Sequence, residues 1–295
     1  MRIRHSRGER TFDIVNVLLM LLACAAIILP VLHVAAGSLS STNALIHMRV
    51  KLWPVEWNFD NYKLVINNSI FWRSFRNTLF VVIVGTAINM LLTILTAYPL
   101  SKRGFRGRKL FLLLIVFTII FQAPIVPVYI IVKSFLLINT LWALIIPAAL
   151  NAFNLLICMT FFRSLPEEMF EAARVDGMDE MRILWKIAVP LSLPIMVTLI
   201  LFYAVGNWNN YYLALLYVTK PALKTMQLYL YTMIAQFSMN ETDGAAAAIA
   251  ERSADISPQG LQMATVLVAT IPILLVYPFI QKHFVKGALI GSIKE

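Results

Sequence analysis

The residues best equipped for chemistry crowd into one segment, 163–190. Glu171 and Asp176 are carboxylates able to pair with basic groups on another surface. Ala172 and Ala173 between them are small enough to let a second backbone come close. Gly177 follows, and Ile187 and Pro190 close the run. Met169, Phe170, Met181, Leu184 and Trp185 add apolar mass that a solvated linker does not need. Spacing alone leaves two uses open: packing on the chain's own helix ends, or docking to a partner. Bond-making chemistry has no such footing. There is no P-loop, no His-Glu-x-x-His and no Gly-x-Ser-x-Gly. Residues 104–109 superficially resemble a phosphate-binding loop, but they lack its spacing and the Ser or Thr that must follow. The two cysteines, Cys24 and Cys158, both fall in apolar runs and read as buried free thiols; a disulfide framework or metal site needs more of them at closer spacing.

The elements that must position this segment are membrane helices. Of the 295 residues, 60% are hydrophobic and 14% charged, whereas soluble chains average about a quarter charged and under half apolar. The mean hydropathy of +0.76 agrees. The net charge of +10 does not point to nucleic acid, because the basic residues lie between apolar runs and form no continuous face. Six charge-free stretches, 14–37, 77–101, 110–132, 140–162, 191–219 and 261–281, meet the requirement of about 20 residues for a spanning helix. They lack the alternation of a barrel. The expected fold is therefore an all-α integral membrane protein with six transmembrane helices.

Lys and Arg orient it. Sixteen fall in the N-terminal arm (1–13), the loop after the second span, segment 163–190 and the tail (282–295); nine fall on the other side. The positive-inside rule makes the first set, and both termini, cytoplasmic. The first span has the basic arm of a signal peptide, and Val34-Ala35-Ala36 imitates a cleavage site. Its apolar run exceeds the usual h-region of about 7–15 residues, so it is expected to be retained.

Within 163–190, Ser164 and Glu167 have the spacing of a capping box. Glu167, Glu168 and Glu171 suit the first turns of a helix, and Gly177 suits a left-handed stop. Met181, Leu184, Trp185 and Ala188 recur as one helical face, and Pro190 and Pro194 mark re-entry into the membrane. The expectation is two short helices joined by a sharp glycine turn. On the other side, 38–72 reads as an irregular cap with Trp53 and Trp57 at the interface. The loop 220–260 begins with an aromatic stretch, 223–237, fit to lie along the membrane, and includes a helical-looking portion at 245–252.

The run Glu171-Ala172-Ala173-Arg174-Val175-Asp176-Gly177, with Ile187-Ala188-Val189-Pro190 ten residues after the glycine, resembles the EAA signature of binding-protein-dependent ABC importer permeases. Val189 stands where that pattern has leucine. The six-span layout matches it as well. The C-terminal region, from Tyr277-Pro278-Phe279 to Gly291-Ser292-Ile293-Lys294, resembles the carbohydrate-uptake branch, similar to the maltose importer permease, and within it the group for complex or plant oligosaccharides. The resemblance implies a type I importer fold and a coupling role for Glu171, Ala172, Ala173, Asp176, Gly177, Met181, Trp185, Ile187 and Pro190. It also implies a homologous second permease subunit, two ATPase subunits that bind the ATP and Mg, and an extracellular solute-binding protein delivering a sugar or oligosaccharide. This chain itself would hold no cofactor or metal.

A sugar path needs amides for hydroxyls and aromatic faces for rings, and Trp208, Asn209, Asn210 and Tyr211 supply both. Trp and Tyr also gather at interfaces, and Asn also pairs helices. Asn89, Gln122, Asn151 and Asn154 sit at membrane depth, where polar groups face a bundle interior or a cavity. Pro124, Pro127 and Pro147 are expected to kink their helices. The alternatives are an ion-driven secondary transporter, which would be expected to carry ionisable residues within its spans, and an ABC permease for a non-sugar solute.

Overall fold

The computed structural model describes residues 7–242 and 257–292, and every regular element among them is helical. Two compact units make up the chain: Met1–Ser69 with Thr232–Ile271, and Ile70–Tyr231 with Pro272–Glu295. The expected helical portion at 245–252 and residues 1–6 of the N-terminal arm lie outside the described residues.

In the first unit, α1 (Arg7–Ser38) exposes apolar side chains all round, among them Leu19, Leu21 and Ile27, the mark of a helix solvated by lipid. Cys24 belongs to that surface and is exposed, contrary to expectation; a free thiol behaves as a small hydrophobe and needs no burial against protein there. The short helices α2 (Thr42–Ile46) and α3 (Asp60–Asn67) follow. Ser41 caps α2, its hydroxyl accepting from Ala44 N. Ala36, Ala44, Leu45 and Val50 form a small core with Met263. Trp53 and Trp57 stand exposed.

The second unit is organised by α4 (Ser69–Ser101), which begins one residue earlier. Ser74, Thr78, Val81, Gly85, Asn89, Thr93, Ala97 and Leu100 recur every three or four residues along one buried stripe. Small and polar groups there let neighbouring helices close in, as lipid-embedded packing requires. The next helices are α5 (Arg108–Ile120) and α6 (Ile125–Ser134), which meet at 116°. Pro124 has no N–H to give the carbonyl of Ile120, so the ladder stops there. Gln122, in this break, is exposed.

Then come α7 (Trp142–Ile145) and α8 (Ala152–Ser164), separated by non-helical 146–151, so the fourth expected stretch is broken around Pro147. Segment 165–192 carries α9 (Glu167–Val175), α10 (Glu180–Ile183) and α11 (Val189–Leu191). Beyond it lie α12 (Leu193–Asn209), α13 (Tyr212–Tyr217), α14 (Met226–Thr242) and α15 (Pro258–Ser292). Among the described residues three helices are long and apolar enough to cross a membrane alone, and five spans result if each bent pair counts as one.

Two cores fill the second unit. One gathers Val81, Val132, Leu144, Ile145, Tyr217 and Leu228. The other gathers Ile94, Tyr98, Leu155, Phe162, Phe170, Leu184 and Leu199.

Candidate functional site

Segment 163–190 opens on a proline. Leu165 is held extended (φ −70°, ψ 142°) by Pro166, as residues before proline are, and α9 begins immediately after. Ser164 is thereby left as the last residue of α8, its hydroxyl donating to the Phe161 carbonyl at 2.7 Å, and the expected capping box does not form. Glu167 and Glu168 still occupy the first turn, where the helix dipole favours them.

The helix ends as its glycine demands. Gly177 has φ +77°. Its N–H donates to the Arg174 carbonyl and that of Met178 to the Ala173 carbonyl, both at 3.0 Å. This pair of bonds is a Schellman stop. Two residues later the Asp179 carboxylate accepts from Arg182 N at 3.1 Å and starts α10. Residues 184–188 then wind as a π-helix. Met181, Leu184, Trp185 and Ala188 do not share one face, because the buried side here is the i, i+1, i+4, i+5 set of Ile183, Leu184, Ile187 and Ala188. Ile183, Leu184 and Ala188 point into the core, whereas Met181 and Trp185 are 54% and 43% exposed. Pro194 cannot donate to the Pro190 carbonyl, and the chain bends by 86° into α12.

The segment therefore has two surfaces. Phe170, Ala173, Ile183, Leu184 and Ala188 pack on Tyr98, Leu155, Phe162 and Leu199. Glu171, Ala172, Val175, Asp176, Met181, Trp185 and Pro190 are exposed, and Ile187 is partly buried. Of the five apolar residues that left both uses open, Phe170 and Leu184 serve the chain's own core, while Met169, Met181 and Trp185 do not.

An electrostatic cluster joins the segment to the end of α4. Arg174 Nε donates to Glu180 Oε1 at 2.8 Å, and the Tyr98 hydroxyl donates to Glu180 Oε2 at 2.8 Å. The Lys102 ammonium sits 3.4 Å above the Phe170 ring centroid and 4.7 Å above that of Tyr98. Partial burial pushes the Glu180 carboxyl up, but the hydrogen bonds from Arg174 and Tyr98 outweigh it and hold the group below the usual carboxylate range. Burial beside the rings lowers Lys102 below the usual lysine range, and the Glu180 charge pulls it part of the way back. Sequence reasoning missed this cluster; the only signal was a Tyr and a Lys four residues apart where an apolar run meets a basic loop.

The amide-rich residues form a second site. Asn89 Nδ2 donates to the carbonyls of Ala148 and Ala149, at 2.9 and 2.8 Å, within the break between α7 and α8. Its Oδ1 accepts from Asn207 Nδ2 at 3.1 Å. Gly85 makes room for this: a Cβ there would stand 2.9 Å from Asn207 Nδ2. One turn away, Thr93 and Tyr203 share a hydrogen bond of 2.7 Å.

Of the expected sugar-path residues, Asn151 caps α8 by accepting from Asn154 N and stays exposed, while Asn154 is buried. Asn210 caps α13 by accepting from Leu213 N. Trp208 is buried against Phe75, with its Nε1 lacking a partner. Asn209 and Tyr211 are exposed, and Tyr211 stacks on Tyr231 at 5.4 Å. Asn151 and Asn154 thus share one cap, while Trp208 turns to Phe75 and Tyr211 to Tyr231. Among the described residues no group of His, Cys, Asp or Glu could hold a metal ion.

A sequence profile for the binding-protein-dependent transport system inner membrane component matches residues 89–289, and the chain belongs to that family. It is 40% identical over 292 residues to protein LplC of Bacillus subtilis, covering 99% of this chain and 98% of the other. It is 39% identical over 288 residues to the polygalacturonan/rhamnogalacturonan transport system permease protein YtcP of the same organism, covering 97% and 99%. A chain from the crystal structure of a bacterial ABC transporter involved in import of the acidic polysaccharide alginate shares the fold with a TM-score of 0.88 and 32% identity, covering 96% of this chain and 99% of that one.

Proposed function

We propose that this chain is a permease subunit of an ATP-driven importer for an oligosaccharide. It works with a homologous second permease, two ATPase subunits and an extracellular solute-binding protein that delivers the sugar. Relatives named for polygalacturonan/rhamnogalacturonan and arabinooligosaccharide transport support the substrate class. The observation that carries the coupling role is the division of segment 163–190 into an anchored inner surface and an outer one that leaves Val175 88% exposed beside Glu171, Ala172, Met181 and Trp185. That outer surface would dock on the ATPase, Ala172 allowing close approach and Glu171 and Asp176 meeting basic groups. ATP and Mg would be held by that partner.

Affinity purification from detergent, with identification of the chains that come along, tests the assignment. An ATPase and a second permease are expected with the wild type. The double variant Met181→Asp/Trp185→Ala should lose the ATPase while retaining the second permease. Undiminished ATPase capture by that variant would remove the docking surface from this segment.

Six spans with both termini inside would follow from the charge distribution. Either α7 and α8 together, or α8 with the end of the break, would form the fourth. In a chain with Cys24 and Cys158 replaced by alanine, Lys51→Cys should react with a membrane-impermeant maleimide in intact cells, and Arg106→Cys should react only after lysis. The opposite pattern would invert the topology. Asn209, Tyr211, Asn151 and the unpartnered indole of Trp208 would then line or approach the sugar path.

A further inference from the structure

We infer that Glu180 is the junction through which segment 163–190 moves α4, and that Tyr98 is a positioning residue for coupling; this rests on the coupling role proposed above. The two short helices of the segment are locked to one another. The Schellman bonds at Gly177, the Asp179 cap and the Arg174–Glu180 pair span the turn within a few residues. The V they form can move as one body.

Beyond the apolar packing of its inner face on Tyr98, Leu155, Phe162 and Leu199, that body has two directional exits into the membrane part. One is covalent, through the bend at Ser192 into α12. A bend of 86° with a proline on its far side is a place where motion can be absorbed as easily as passed on. The other exit is Glu180. One of its oxygens is taken by Arg174 inside the V, and the other by the hydroxyl of Tyr98 on α4, which is only 6% exposed. The Tyr98 ring stands edge-on to Phe162 and Phe170, with the Lys102 ammonium above Phe170.

From Tyr98, α4 runs back through Thr93, bonded to Tyr203 of α12, to Asn89, bonded to Asn207 of α12 and to the carbonyls between α7 and α8. Both exits thus converge on α12. With Glu180 in place, α4 must follow the V. Without it, only apolar packing joins the V to α4, and that non-directional contact can slide as the V turns on the bend, so that hydrolysis moves the sugar path less.

Tyr98→Phe deletes one hydroxyl and keeps the ring packing. In the complex purified with its ATPase, this variant should assemble, melt within a few degrees of wild type and hydrolyse ATP. Uptake per ATP in proteoliposomes should fall at least about fivefold, the low end of a coupling between sites. Glu180→Gln should do likewise, and the double variant should lose less than the product of the two singles, because both remove the same link. Unchanged uptake per ATP in Tyr98→Phe, multiplicative losses in the double variant, or a Tyr98→Phe complex that fails to assemble would each overturn the inference. The docking surface is tested separately by Met181→Asp/Trp185→Ala. If that variant sheds the ATPase while Tyr98→Phe transports normally, only the junction at Glu180 falls.

Discussion

Replacing Gly177 with valine is expected to lower sugar uptake per ATP hydrolysed by at least about tenfold, or to prevent the complex from assembling. The glycine sits at φ +77°, a region where a β-branched residue costs on the order of 1–3 kcal/mol. No atom lies within 4 Å of the position its Cβ would take, so the penalty is one of backbone conformation and not of crowding. The chain would relax by giving up the left-handed turn. That breaks the bonds from Gly177 N and Met178 N to the end of α9. It also carries Glu180 away from Arg174, and the angle between the two helices changes. Since 1.4 kcal/mol is a factor of about ten in an equilibrium, the strain alone is enough to empty the docked geometry proposed for this segment. The control is Gly177→Asn, because asparagine tolerates left-handed dihedrals. Reconstituted complexes should rank glycine, then asparagine, then alanine, then valine in uptake per ATP. Equal coupling in glycine and valine complexes would show that the turn does not transmit motion.

That position was legible in the sequence because its cause is local. A glycine after a run of helix formers, with acidic residues at the start, needs no tertiary information. The neighbouring expectations failed for equally local reasons that override pattern. Pro166 forces Leu165 out of the helical region, so Ser164 cannot serve as the cap of α9 despite its spacing to Glu167. The π-turn at 184–188 widens the helix after Leu184, and no rule of 3.6-residue periodicity anticipates it.

The spans show the opposite limit. In a lipid-solvated helix almost every position is apolar, so hydropathy reports length and says little about which side faces protein. The buried stripe of α4 is distinguished by small and polar side chains, Ser74, Thr78, Gly85, Asn89, Thr93 and Ala97, instead of by hydrophobicity. Asn89 is visible in the sequence as an amide at membrane depth, and Asn207 is not singled out there. Their pairing depends on a contact between residues 118 positions apart, and on Gly85 leaving space for it. In the fourth stretch Pro147 marks a kink in the sequence, but the loss of helix over all of 146–151 is not legible there, for the same reason. An apolar run of the right length reads as a helix until one knows that another chain segment satisfies the carbonyls its break releases.

Asn89→Leu is expected to be the most destabilising single substitution in the second unit, by about 3 kcal/mol. Asn89 is 2% exposed and makes hydrogen bonds to three partners, using both amide hydrogens. Its amide nitrogen serves the Ala148 and Ala149 carbonyls, and its oxygen serves Asn207. Both carbonyls lie in the non-helical stretch 146–151, where the backbone has no helix of its own to turn to, and hydrocarbon offers no water. Leucine matches the volume and removes every partner. Each orphaned group costs about 1–3 kcal/mol when buried. The lower end applies, because groups unpaired in a bilayer find other partners in the unfolded state and hydrogen bonds between membrane helices average well under their nominal worth. The two carbonyls and the second hydrogen of Asn207 Nδ2, whose other bond is to Thr86 Oγ1 at 3.4 Å, give the stated loss at about 1 kcal/mol each. Asn207→Ala should cost only about 1 kcal/mol, since Asn89 then keeps both carbonyls. Gly85→Ala should behave similarly, because its methyl group displaces the Asn207 amide. Thermal unfolding in detergent would rank the three variants. Cleavage by a protease between 146 and 151 should rise sharply in Asn89→Leu alone. An Asn89→Leu chain that melts with Asn207→Ala, and resists cleavage as the wild type does, would mean that the break is held by packing of α7 and α8 and not by this amide.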